Sequence, residues 1–76
     1  MGVNLRTELI NASRIHFEAH IEKHRINVEN LLQNSVGIGE HPQHLEEVNK
    51  QIEKIANAKE KLQVLDEFEP AKGTAL

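Results

Sequence analysis

Residues on either side of Gly37-Ile38-Gly39 are arranged with a symmetry that a folded-back chain would have. Pairs whose residue numbers add to 76 match in character: Leu31 with Leu45, Val28 with Val48, Ile21 with Ile55. In the same register His24 falls opposite Ile52 and Arg14 opposite Leu62. Facing residues of two antiparallel helices keep a constant index sum, so the pattern predicts an all-α, antiparallel two-helix hairpin. A short connection between helices of similar length forces that arrangement.

The expected hairpin occupies residues 1–69, with helices over about 5–33 and 42–68, a loop over 34–41 and a tail at 70–76. Asn4 is the expected N-cap of the first helix. Asn34 or Gly37 is expected in the left-handed conformation that often ends a helix, with Val36 and Ile38 folding back onto the core. Pro42 suits the first turn of the second helix, where its missing N–H costs nothing, and Pro70 stands just past the expected end. Glu46 and Lys50 lie at i, i+4 in the favourable order. On the second helix the predicted buried stripe is Leu45, Val48, Ile52, Ile55, Lys59 and Leu62, an alternating three-and-four spacing. Lys59 interrupts it and is expected to run its stem past Phe17.

A chain of 76 residues without cysteine buries only about 60% of its unfolded surface and has no disulfide to support it. Association is then the expected source of stability. Aromatic residues are 3% of the chain, Phe17 and Phe68 alone, and the net charge is −3. No aromatic platform for stacking bases exists, and no electrostatic drive towards nucleic acid or anionic membranes. No apolar run approaches the roughly 18 residues that span a bilayer, and the N-terminus lacks the apolar segment of a secretory signal. The expected location is cytoplasmic or within an assembly.

The first helix is apolar over more of its circumference than a hairpin uses. One strip holds Ile10, Phe17, Ile21, Val28 and Leu31. A second, turned roughly 120–140° at about 100° per residue, holds Leu5, Leu9, Ala12, His16, Ala19 and Ile26. An arc this wide normally touches more than one neighbour. Ala12 and Ala19, seven residues apart, would let another helix approach closely; alanine as a plain helix former on a half-exposed face is the competing reading. These six residues are the predicted interface. It would serve two hairpins forming a four-helix bundle, or docking on a larger protein assembly.

His16, His20 and His24 stand at i, i+4, i+8 between the two strips. Two histidines one turn apart can chelate Zn²⁺, but a full site needs a third or fourth ligand at the right depth, and neither a His-Glu-x-x-His string nor the Glu-x-x-His pattern of di-iron bundles is present. The expectation is residues bordering an interface, with neither metal nor cofactor, and with a possible pH response of the clustered imidazoles. Ser13, Ser35, Thr7 and Thr74 lack the context of an activated nucleophile, and no carboxylate pair is indicated. No enzyme and no small-molecule substrate are expected. Gly37-Ile38-Gly39 is not preceded by a strand and lacks the rest of a phosphate loop, so it reads as a turn. The alternative function is a small dimeric nucleic-acid regulator of Rop-like architecture. Lys50, Lys54 and Lys61 would be its basic face, although Glu46, Glu53 and Glu60 are interspersed, which disfavours a phosphate track.

The segment Val36-Gly37-Ile38-Gly39-Glu40-His41-Pro42, followed by Ile55-Ala56 and Lys61-Leu62-Gln63-Val64-Leu65, resembles small helical proteins of tailed marine bacteriophages. The likeness spans about the second half of the chain and carries no functional residues across. It implies a phage origin and no established activity; together with the residue reading it favours a non-enzymatic interaction or assembly module, a virion structural or accessory protein, in a host cell's cytoplasm or in the virion.

Overall fold

A computed structural model of the chain describes residues 4–34 and 42–69. Among these the chain forms two helices, α1 (Leu5–Gln33) and α2 (Pro42–Asp66), packed against each other as an antiparallel hairpin. The reversal around Gly37-Ile38-Gly39, the folding back of Val36 and Ile38, His41 and the tail at 70–76 lie outside the described residues.

Asn4 caps α1: its backbone is extended (φ −93°, ψ 101°) and its Oδ1 accepts the Thr7 N–H at 3.2 Å. That bond satisfies one of the donors a helix start leaves unpaired. At the other end Asn34 is not left-handed (φ −98°, ψ 15°); its N–H continues the helical pattern to the Asn30 carbonyl at 3.0 Å. α2 stops at Asp66, short of the expected Phe68. The N–H groups of Glu67, Phe68 and Glu69 donate three residues back, to the carbonyls of Val64, Leu65 and Asp66 at 3.0, 3.0 and 3.2 Å. The chain tightens into a 3₁₀-type turn ahead of Pro70.

The larger departure from expectation is the rotation of α2 about its own axis. Leu45 and Ile52, predicted for the buried stripe, are 62% and 49% exposed, and Lys59 is exposed as well. The face turned to α1 holds His44, Val48, Gln51, Ile55, Ala58, Leu62 and Leu65, all buried or half-buried. This line also alternates three and four residues. It keeps Val48, Ile55 and Leu62 from the predicted stripe and exchanges their neighbours for histidine, glutamine and alanine. On α1 the matching face is Ile10, Arg14, Phe17, Ile21, His24, Val28 and Leu31.

Polar satisfaction explains the rotation. Ile52 opposite His24 would bury an imidazole with nothing to bond, at a cost of about 1–3 kcal/mol. With Gln51 there instead, the His24 Nδ1–H donates to Gln51 Oε1 at 2.5 Å. The same oxygen accepts from Asn27 Nδ2 at 3.2 Å, and Gln51 Nε2 donates to Glu47 Oε2 at 3.0 Å. Among the described residues no buried side-chain nitrogen or oxygen lacks a partner. Leu62 opposite Arg14 would likewise strand a guanidinium. Arg14 instead donates to Asp66 Oδ1 at 3.0 Å and pairs with Glu69 Oε2 at 2.5 Å. Those two bonds hold its guanidinium even above arginine's ordinary range, the Glu69 contact contributing most.

Further polar contacts secure both ends. Arg6 Nη2 donates to the Phe68 carbonyl at 2.7 Å, closing the open end beside Arg14. Near the reversal, the His44 Nε2–H donates to the Leu31 carbonyl at 2.7 Å, one of the last carbonyls of α1, which have no partner within the helix. Phe17 is covered by Lys61, whose Nζ stands 5.9 Å from the ring centroid, and not by the expected Lys59. Lys50 pairs with Glu47 at 3.8 Å, three residues away, in place of Glu46. The apolar core is thin: among the described residues no large side chain is fully buried. Aliphatic side chains buried by about half each contribute on the order of 1 kcal/mol.

Candidate functional site

The second strip of α1 stands open. Leu5, Leu9 and Ile26 are 67%, 60% and 54% exposed, and Ala12, His16 and Ala19 between them are exposed too. The six predicted interface residues therefore share one continuous exposed face of α1, whose Leu9 and His16 border hollows shared with α2. Lys23 completes their three-and-four spacing. Ile15, missed in the sequence reading, is also exposed and widens the face, standing three residues after Ala12 and four before Ala19. That helical adjacency was the signal that could have found it. At the open end Leu9 joins Arg6, Ile10, Ser13, Leu65 and Phe68 around a notch of about 250 Å³.

The three histidines descend from surface to core along α1: His16 exposed, His20 half-buried, His24 buried. The His16 and His20 rings stack at 21° with centroids 6.3 Å apart, while His20 meets His24 edge-on at 4.4 Å. His16 also meets the edge of Phe17 at 5.2 Å. His24 commits its Nδ1 to Gln51, which ties the ring to α2. Among the described residues no group of three or more His, Asp or Glu side chains is placed to hold a metal ion. His20 is held below its ordinary value of 6.5, first by loss of solvation and then by His24, Lys23, His16 and Lys54.

Among the described residues no helix is long and apolar enough to cross a membrane. The open face of α1 carries large aliphatic side chains at its ends and alanines in the middle. Comparison of the chain with models of protein families, with curated proteins and with solved structures gives no match.

Proposed function

We propose that this protein is a non-enzymatic helical-hairpin assembly module whose partner is a second copy of itself, joined through Leu5, Leu9, Ala12, His16, Ala19 and Ile26. The observation that carries this reading is the contrast between the two faces of α1. The face against α2 buries no large side chain completely, while the other exposes Leu5, Leu9 and Ile26 along one line. A two-layer hairpin of this size is short of buried apolar surface, and a second copy supplies it without a new sequence.

Two such strips suit a twofold, antiparallel pairing. That geometry sets the Leu5/Leu9 end of one copy beside the Ile26 end of the other. Ala12 and Ala19 then lie near the axis, where helices need small residues to approach. An interface of this kind is self-complementary and closes at a dimer of hairpins, a four-helix bundle. The likeness of residues 36–42 to phage proteins supports a place in a virion or an infected cell.

The test is the mass in solution by light scattering. The parent is expected at twice its 8.6 kDa chain mass, and the variant carrying Ala12→Glu and Ala19→Glu at the single-chain mass with its helix signal retained. A parent that is monomeric at about 0.1 mM, or a variant that keeps the parent's mass, overturns the reading.

A further inference from the structure

The mid-section of the hairpin carries a second feature, which shares His16 with the apolar strip and otherwise lies between the helices. A groove of about 230 Å³ runs between the helices over the buried Ala58, lined by His16, Phe17 and His20 of α1 and by Lys54, Asn57 and Lys61 of α2. Two ammonium groups, two imidazoles and an amide face it, and no carboxylate does.

This is unusual in a chain with 12 acidic residues against 9 basic ones. Along the sequence Lys54 and Lys61 each follow a glutamate, Glu53 and Glu60. On a helix, however, consecutive residues point about 100° apart, so those carboxylates stand round the outer side. The side chains that share a face with a helical residue are those three and four positions away. For Lys54 these are Lys50, Gln51, Asn57 and Ala58; for Lys61 they are Asn57, Ala58, Val64 and Leu65. For His16 and His20 they include Ala12, Ser13, Phe17, Ala19, Lys23 and His24. None is acidic. Across the groove two imidazoles of α1 face two ammonium groups of α2, and the described contacts include no ion pair for either Lys54 or Lys61. Folding thus sorts an evenly mixed sequence into one positive pocket.

We propose that this groove is a binding site for a small tetrahedral oxyanion of the sulfate and phosphate class, held by Lys54, Lys61, His16 and His20 with Asn57 as a neutral donor. The ammoniums supply fixed charge; the imidazoles add charge-assisted hydrogen bonds when protonated. The volume holds one such ion with its nearest waters, each of which occupies about 30 Å³ in the liquid. The positive groups form one cluster and not a track along the hairpin, which suits a single ion and not a nucleic-acid backbone. His20 is held below its ordinary value first by lost solvation and then by His24, Lys23, His16 and Lys54, and no carboxylate in the groove offsets that repulsion.

The test follows the imidazole and Asn57 side-chain resonances of the full chain while sodium sulfate is added at constant ionic strength. Sulfate keeps its charge between pH 6 and 8, so any pH dependence belongs to the protein. The titratable groups lining the site are His16 and His20 from α1 and Lys54 and Lys61 from α2, with Lys23 and His24 one turn further along α1, and no carboxylate lies among them. Saturable shifts at His16, His20 and Asn57 are expected, tighter at pH 6 than at pH 8. They should weaken at least about tenfold in the Lys54→Gln, Lys61→Gln variant, which leaves the assembly strip unchanged. Phenyl phosphate in parallel separates a free ion from a monoester; equal or tighter binding than sulfate both uphold the oxyanion class. Shifts that stay linear, or that persist in a variant with normal helix content, overturn the proposal. So does binding of a single-stranded RNA oligomer without a saturable sulfate response. The two readings share His16, but oligomeric mass is measured separately, so failure of one is distinguishable from failure of the other.

Discussion

The Nδ1–H of His24 on α1 donates to the Oε1 of Gln51 on α2 at 2.5 Å, in the interior of the hairpin. The bond is the centre of a polar layer with Asn27 and Glu47, and it sets which face of α2 turns inward. Buried polar pairs that specify register in two-helix packing follow the same logic.

Removing one partner of that pair should cost more than removing both. Gln51→Ala leaves the buried His24 imidazole unpaired and is expected to destabilise the hairpin by about 1–3 kcal/mol. Replacing both by leucine removes the unsatisfied group and should recover most of that loss. A double-mutant cycle from urea unfolding measures the coupling. Effects that add within about 0.5 kcal/mol would show the pair to be energetically independent.

The rotation of α2 predicts unequal sensitivity at two isoleucines three residues apart. Ile55→Ala removes half-buried packing and should cost about 2 kcal/mol, at the low end of the range for buried aliphatic truncation. Ile52→Ala, on the half-exposed flank, should change stability by no more than about 0.5 kcal/mol. The sequence-derived stripe expects both to matter alike, so comparable losses at the two positions would restore it.

Ala58 is buried on the floor of the groove that Phe17 also lines. Leucine there adds volume where the helices are close, and overpacking of this kind costs about 1–3 kcal/mol. Thermal unfolding of Ala58→Leu should therefore begin at a lower temperature than that of the parent. An unchanged or higher midpoint would mean that the helices separate here with little resistance.

Arg14 links α1 to Asp66 and Glu69 across the open end. Arg14→Gln should speed amide exchange at residues 66–69 and at the first turns of α1. Exchange around His24 and Gln51 should stay as in the parent, because fraying from an end is local. Acceleration spread evenly through both helices would instead assign Arg14 a global role.

His20 has a lowered folded-state value, with desolvation as the leading cause and His24, Lys23, His16 and Lys54 adding repulsion. A group depressed on folding leaves stability at its full level above its unfolded value near 6.5 and reduces it as the pH falls through the folded value. The melting temperature should therefore decline on acidification below about pH 6.5, and His20→Gln should flatten part of that decline. A profile unchanged by the substitution would assign the pH response to other groups.

Much of the architecture was legible in the residues themselves. The index symmetry about Gly37-Ile38-Gly39 announces an antiparallel hairpin, Asn4 marks the start of α1, and the surplus of apolar residues on α1 singles out a face that the hairpin does not cover. These features are local or periodic, and helix geometry translates them directly into position. The sequence could not say which of two neighbouring stripes on α2 would be buried. Leu45 and Ile52 make one stripe the more apolar, while His44, Gln51 and Ala58 make the other better able to satisfy His24 and to admit Phe17. The choice belongs to pairs far apart in sequence, because an unpaired buried imidazole costs as much as a buried aliphatic side chain gains. The same holds for the charges: glutamates are interspersed among lysines along the chain, yet once both helices are wound and paired Lys54 and Lys61 share a groove with two imidazoles and no carboxylate.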